Sequence, residues 1–319
     1  MATTLSDTLN YRGQLFLIGQ NQTPFIKMIG GNSKRSSSFV YPMAQPWALS
    51  GASQPAITED ASIVAGTPST TTRAEDTNTA QIFKYDKAVS FKKQSQYGLM
   101  SGINTNDANP VVDELTFQKM AGLQQFAIDA EYSFLQGTYQ AATNTATAAK
   151  TRGIITGTTT NAIAASSAKL SKALIQELLR TMAAAGSPFM NSVIMVNAFQ
   201  KQLISDIYGY APMDRLVGGL NIKQIETDFG MLGVVYVPQM PTGTLQIAEL
   251  SVCAPVFVPF TFSNDGNVNP VDMMQDGLDV AWVPTGTTAA ARGGFIYSQL
   301  GIDYGPEEYH GKITGLATS

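Results

Sequence analysis

One long stretch of the chain repeats its hydrophobic residues with a helical period, and several short stretches do so with the period of a strand. Val112, Leu115, Met120, Leu123, Phe126, Ala127, Ala130 and Phe134 fall on one stripe at about 100° per residue. Glu114, Gln118, Gln125, Asp129 and Tyr132 fall opposite. Asn109 stands as N-cap, Pro110 occupies the first helical position and Gly137 follows the last, so a helix is predicted over residues 110–136. At ~1.5 Å per residue it spans roughly 40 Å. Such a helix suits a spine between two regions, with Leu115, Leu123, Phe126, Ala130 and Phe134 as its core face.

Before the spine the pattern is sparse. Residues 1–35 mix short apolar pieces with polar ones and read as an extended arm with one helical turn. Between Ser36 and Thr72 there is no Lys or Arg, and Ser, Thr, Ala and Pro dominate. A strand is predicted at Phe39-Val40-Tyr41, followed by an isolated Trp47. A second strand, over residues 82–91, alternates Phe83, Tyr85, Lys87, Val89 and Phe91 with Ile82, Lys84, Asp86, Ala88 and Ser90. Two strands joined by so long and so weakly hydrophobic an excursion cannot build a core of their own, and such a ribbon gains stability by lying on something else.

After the spine and a Thr/Ala-rich spacer the pattern becomes α/β. Ser171 reads as the N-cap of a helix whose Leu174, Ile175, Leu178, Leu179 and Met182 face inward, ended by Gly186-Ser187-Pro188. A buried strand is predicted over residues 193–196, and Asn197 caps a helix over residues 198–208. Further strands are predicted at 222–226, 234–237, 245–248 and 256–260. Residues 278–283 and 295–304 form an antiparallel pair around a turn at Pro284-Thr285-Gly286.

Composition sharpens the picture. With 319 residues the chain exceeds a usual single core. Hydrophobic residues make up 44% and charged residues only 14%, against roughly 25% charge in ordinary soluble domains. Much of the folded surface is therefore neutral, as in a subunit of an assembly. A net charge of −4 argues against a dedicated nucleic-acid binder and leaves weak, non-specific contact with DNA open. The single cysteine, Cys253, sits among apolar neighbours and reads as a small buried hydrophobe. No basic-then-apolar leader and no membrane-length apolar run occurs, so folding in cytoplasm without export and no membrane partner are expected.

Enzyme chemistry finds few of its residues. His310 is the only histidine, which excludes a two-histidine zinc motif. It sits in Tyr309-His310-Gly311, a stretch that reads as mobile, and reads as a surface or packed histidine. No Gly-x-Ser-x-Gly elbow occurs. The stretch Gly305 to Ile313 has the wrong spacing for a phosphate loop and puts carboxylates where phosphate would sit. Asp129 with Glu131, or Glu307 with Glu308, read as helix-face or solvated carboxylates before they read as a cation site. No catalytic residue, metal or cofactor is expected.

The order of these segments resembles the Hong Kong 97-type capsid fold of tailed bacteriophages. Four stretches resemble the major head protein family of phage SU-ten and related podophages. They are Asn78-Thr79-Ala80-Gln81-Ile82-Phe83 leading into Val89-Ser90; Asp113-Glu114-Leu115 through Asp129-Ala130-Glu131-Tyr132-Ser133-Phe134-Leu135-Gln136-Gly137; Thr227-Asp228-Phe229-Gly230 with residues 234–240; and residues 301–316. The resemblance implies an α+β chain divided into an N-terminal arm (1–35), an extended β-hairpin E-loop (36–95) and a P-domain (96–165) with the long spine helix over 110–136. An A-domain (166–275) and C-terminal strands returning to the P-domain (276–319) complete it.

The resemblance also implies function: a structural subunit of the virion that self-assembles into hexamers and pentamers of an icosahedral head around double-stranded DNA. Portal, scaffolding and decoration proteins are the further expected partners. The E-loop lies over a neighbour, so Phe39, Tyr41, Trp47 and Ile82, with Phe83, Tyr85 and Lys87, are the expected interface residues. A ribbon without its own core would gain roughly 25 cal/mol for each Å² of apolar area it buries there. The isopeptide cross-linking known in one member of this fold is not implied, because no matching Lys, Asn and Glu set is evident. Two rival readings remain at this point: an encapsulin-like compartment or tail-tube subunit, and an enzyme built on the α/β region with His310 or Asp129 at work.

Overall fold

A computed structural model describes residues 22–44, 46–49, 51–66, 68–93, 114–209, 213–217, 220–259, 271–275 and 278–318. The described chain starts with α1 (Pro24–Ile29) and β1 (Lys34–Arg35). Next, β2 (Val40–Ala44) and β3 (Asp76–Thr79) frame a long excursion holding the one-turn α2 (Glu59–Ser62), and β4 (Gln81–Ser90) follows. The spine is α3 (Glu114–Gln136). Beyond it come α4 (Ile154–Gly157), β5 (Ala162–Ala164), α5 (Lys172–Ala184), β6 (Ser192–Val196) and α6 (Ala198–Tyr208). The rest is strand: β7 (Met213–Val217), β8 (Leu220–Thr227), β9 (Gly230–Tyr236), β10 (Leu245–Glu249), β11 (Ala254–Phe257), β12 (Val271–Gln275), β13 (Leu278–Thr288), β14 (Ala291–Asp303) and β15 (Gly311–Thr314).

Seven strands form one sheet in the order β5-β15-β10-β6-β9-β8-β7, mixed in direction because β6 runs parallel to β9 and β15 to β5. Its middle strand β6 is buried along its whole length. Successive side chains of a strand point to opposite faces, and here each face has a core. Val193 and Met195 join the core that holds the spine, while Ile194 and Val196 join Ile175, Leu178, Leu179 and Met182 of α5 on the other face. That is why the strand reads as an unbroken apolar run instead of an alternation. The helices beside it start where their caps stand: Ser171 Oγ accepts from the Leu174 N–H at 3.3 Å, and Asn197 Oδ1 from the Gln200 N–H at 2.9 Å.

The other large sheet is built around β14. One edge of β14 pairs with β13, and the other changes partner along its length. From Ala291 to Leu300 that partner is β4, and from Leu300 to Asp303 it is β11. The β13–β14 hairpin turns at Ala289-Ala290, with Ala289 at φ 55°. The turn expected at Pro284-Thr285-Gly286 is therefore not there: the register shifts between Pro284 and Gly286, and the strand runs on through a bulge.

The described part of the arm holds one short helix, and the core takes it in. Residues 1–21 lie outside the described residues, but Phe25, Ile26 and Ile29 of α1 are wholly buried in the spine-side core. The Glu131 carboxylate of the spine accepts the Phe25 and Ile26 N–H groups at 2.9 and 2.8 Å. Four amides at a helix start lack partners within their own helix, so a buried carboxylate meets the need that seats α1 there.

On the spine itself, Leu115, Leu123, Phe126, Ala130 and Phe134 are all buried. The expected start at Asn109 and Pro110 lies outside the described residues. Two positions reverse their expected faces. Met120 is exposed, although its stripe is apolar. Glu114 is buried, and its carboxylate takes Lys93 Nζ at 2.9 Å and Gln118 Nε2 at 2.8 Å. A buried charge survives when it is paired and hydrogen-bonded, and sequence periodicity sees neither partner.

Candidate subunit interface

The segment between β2 and β4 divides into two parts with opposite surroundings. Its inner part belongs to the subunit. β4 lies between β14 and the spine, and its alternation is as the pattern predicts: Phe83 and Val89 are buried, Tyr85 and Lys87 half-buried, Ile82 exposed. Phe83 meets Phe126 edge-on, with ring centroids 5.5 Å apart. Tyr85 packs on the same ring and donates its hydroxyl to Asp129 at 2.5 Å. Burial, and then the adjacent Asp129 carboxylate, push the Tyr85 phenol well above its ordinary range. Gly122 lets the spine approach this closely, since a Cβ there would meet Ile296 of β14 at 2.6 Å and the Lys87 stem at 3.1 Å.

Two expected interface residues thus need correction: Phe83 and Tyr41 face the interior of their own chain. Tyr41 is buried with Ala80, Val256 and Val258 in a small third cluster, against which Phe39 is half-buried. The Tyr41 hydroxyl donates to the Ile302 carbonyl at 3.0 Å. Pairing also departs from expectation, because the strand holding Tyr41 pairs with β3 while the 82–91 stretch pairs with β14. The physical reason is that β13 covers only one edge of β14, which also lies next to the spine, so the other edge draws β4 out of the ribbon and into the core.

Asn78, at the start of the stretch over residues 78–83, holds the inner part in place through hydrogen bonds that no sequence pattern marks. It is fully buried. Its Nδ2 donates to the carbonyls of Arg152 at 3.0 Å and Ile302 at 2.8 Å, and its Oδ1 accepts from the amides of Arg152 at 2.8 Å and Thr79 at 2.9 Å. A carboxamide has two donors and two acceptor positions, and all are used. Beside it, the Arg152 guanidinium holds Asp76 Oδ1 at 2.5 Å.

The outer part has no such partners. Every described side chain from Trp47 to Glu75 is exposed, among them Trp47 at 59%, Leu49 at 74%, Ile57 at 73%, Ile63 at 82% and Val64 at 68%. Its own organisation amounts to α2, capped by Thr58 Oγ1 on the Ala61 amide at 3.2 Å, and one bond across its mouth from the Ala74 N–H to the Pro46 carbonyl at 3.0 Å. Scattered exposed apolar residues are ordinary, but a run of large ones on one protruding loop marks an interaction surface.

His310, Glu249, Cys253 and Glu307 are engaged in structure. His310 is fully buried, not mobile: its Nδ1 accepts the Glu249 N–H at 3.1 Å and its Nε2 lies 2.6 Å from the Tyr304 carbonyl. Burial lowers its pKa to about 4, so the ring is neutral at pH 7. The buried Glu249 carboxylate accepts Asn191 N at 2.8 Å, Ser192 Oγ at 2.7 Å and Ser251 Oγ at 2.6 Å. Cys253 is buried, and burial pushes its thiol up out of the reactive range. Glu307 is tied to the amides and hydroxyls of Thr159 and Thr160. Among the described residues no group of His, Cys, Asp and Glu could hold a metal ion, and no helix is long and apolar enough to cross a membrane.

A family model described as SU10 major capsid protein matches residues 1–317. The chain belongs to this family. It is a capsid component of the virion, a bacteriophage major capsid protein with the Hong Kong 97-type α+β fold. No curated protein matches it. The capsid asymmetric unit of cyanophage A-1(L) is similar over 98% of this chain and 99% of that one, with a TM-score of 0.67 at 12% identity. The capsid of Myoviridae phage XM1 is similar over 99% of both chains, with a TM-score of 0.56 at 10% identity. The SrpI encapsulin of Synechococcus elongatus PCC 7942 is similar over 99% of this chain and 94% of that one, with a TM-score of 0.59 at 9% identity. These likenesses establish the fold, which the capsid protein shares with the encapsulin; the family match is to phage capsids.

Proposed function

We propose that this capsid protein assembles into hexamers and pentamers of an icosahedral head around double-stranded DNA, with the loop over residues 46–75 laid on a neighbouring subunit. The observation that carries the reading is the loop itself, a long segment whose described side chains from Trp47 to Glu75 are all exposed. Such a segment offsets the entropy of being ordered only by burying Trp47, Leu49, Ile57, Ile63 and Val64 elsewhere. Of the seven expected interface residues, Trp47 and Ile82 are the ones offered outward, with Phe39, Tyr85 and Lys87 at the margin.

In this reading the A-domain meets its copies at the capsomer centre, as in the fold it resembles. Assembly takes place in the host cytoplasm with portal, scaffolding or decoration proteins. A net charge of −4 leaves DNA contact weak and non-specific, so packaged DNA is not trapped on the wall. The protein acts by packing alone and catalyses nothing.

The test is to replace residues 47–73 by a short Gly/Ser linker. The mouth is already closed by the Ala74 to Pro46 bond, so the remaining subunit keeps its cores. Negative-stain imaging of the full chain should show closed shells, and the shortened chain should give folded subunits that form none. Intact shells from the shortened chain would sink the assignment of the loop.

A further inference from the structure

The loop leaves the subunit at Ala44 and returns at Asp76; Tyr41 and Met43 seat β2 in apolar clusters, but the root beyond them stands over open space. Ala44, Pro46 and Asp76 line a cavity of about 260 Å³, whose other wall is Thr156, Gly157 and Glu307. A loop root that stands over open space is free to tilt unless something else restrains it. The restraint is polar. Asn78 ties β3 to Arg152 at the foot of the spine and to Ile302 at the end of β14, using every hydrogen-bonding position it has. Tyr41 ties β2 to the same Ile302 carbonyl at 3.0 Å. Arg152 reaches across the cavity wall to Asp76 at 2.5 Å and the Thr77 carbonyl at 3.3 Å. Gly301 keeps the strands this close, because a Cβ there would meet the Thr79 carbonyl oxygen at 2.8 Å as well as the Tyr41 hydroxyl.

We infer that Asn78, with the Arg152–Asp76 pair, is a positioning clamp that sets the direction in which the loop leaves the subunit, and so decides whether subunits join into a closed, regular shell. The inference rests on the reading that the loop bridges subunits. Preorganisation gives binding strength by removing the cost of ordering a segment at the moment of contact. Here it has a second effect. A loop fixed in one direction allows one geometry between neighbours, and a loop that swings allows many, most of which do not close.

The clamp makes a prediction that simple destabilisation does not. Asn78→Ala and Asp76→Ala chains are purified as folded subunits, and assembly is scored per folded subunit by imaging and sedimentation. Closed regular shells should fall roughly tenfold, replaced by open or misshapen particles, while hydrogen exchange speeds up at the amides of residues 40–44 and 76–79 and not in α5 or β6. If Asn78→Ala fails to fold, Asp76→Ala decides the question, since Asp76 is only half-buried and outside both large cores. Regular shells at the full-length yield per folded subunit would overturn the clamp and leave the interface reading intact. Shells from the chain lacking residues 47–73 would overturn the interface reading instead.

Discussion

Residues 47–75 and residues 78–90 are close in sequence and opposite in surroundings, and the difference shows what makes a segment part of a subunit or part of an assembly. The inner segment has a strand edge to pair with in β14 and an aromatic partner in Phe126, so Ala80, Phe83 and Val89 are covered within the chain and Ile82 alone of its large aliphatic residues is exposed. The outer segment has comparable apolar content in Trp47, Leu49, Ile57, Ile63 and Val64, but neither edge nor core within reach, and all of it is exposed. Hydrophobicity alone does not separate the two. What separates them is whether the backbone amides and carbonyls find partners, because a segment can enter a core only with its polar backbone satisfied.

The largest effects should appear when the inner side is broken. Replacing both Leu123 and Phe126 by Ala should destabilise the unassembled subunit by more than about 5 kcal/mol, since each truncation leaves a cavity in a packed core. Phe83→Ala alone should cost about 3–5 kcal/mol by denaturant unfolding. A Phe83→Ala subunit with an unchanged midpoint and impaired assembly would restore Phe83 to the interface.

Acid should act on the body of the subunit and spare the loop. His310 is neutral and buried with a pKa of about 4, below its unfolded value of 6.5. The unfolded chain therefore binds a proton as pH falls through 6.5 while the folded chain does not. Stability is fully present above pH 6.5 and drops as pH falls from 6.5 towards 4, by about 3 kcal/mol from this group. Unfolding curves taken across that window should show the slope, and His310→Gln should flatten it. Removing residues 47–73 should leave it unchanged.

Smaller still is Gly301→Ala, where a methyl group has no room between Tyr41 and Thr79; about 1–3 kcal/mol is expected, as for overpacking in a core. The smallest effects on the subunit belong to the outer loop. Trp47→Ala and Ile63→Ser should change its unfolding free energy by no more than about 0.5 kcal/mol, as for exposed positions in general, while lowering shell yield. A large loss of subunit stability from Trp47→Ala would show that the loop folds back on its own chain.

Much of this was readable from pattern. The spine stripe, the caps at Ser171 and Asn197 and the run through β6 are local signals, and the structure places helices and a doubly buried strand where they point. The quoted stretches together carried the family. Less legible were Tyr41 and Phe83, which read as ribbon residues awaiting a partner and face inward instead. The roles of Asn78, Glu131, Glu249 and His310 were not legible either. Each is a polar side chain with at least one backbone partner distant in sequence, as when Glu131 reaches the amides of Phe25 and Ile26. Periodicity records how often a residue recurs on a face and carries no record of which distant amide will arrive there.

Sequence alone determined the spine, the two capped helices and the buried strand β6, because the helical and strand periods and the capping residues act within a few positions of one another. It also determined that one long, nearly uncharged excursion has no local means of being buried. Tertiary structure alone decided where that excursion divides: β14 offers an edge to β4, the spine offers Phe126 to Phe83, and the hydrogen bonds of Asn78 mark the boundary. Every described side chain from Trp47 to Glu75 is exposed, because hydrogen-bond partners and apolar surface must be supplied together and this chain supplies both only as far as the loop's root.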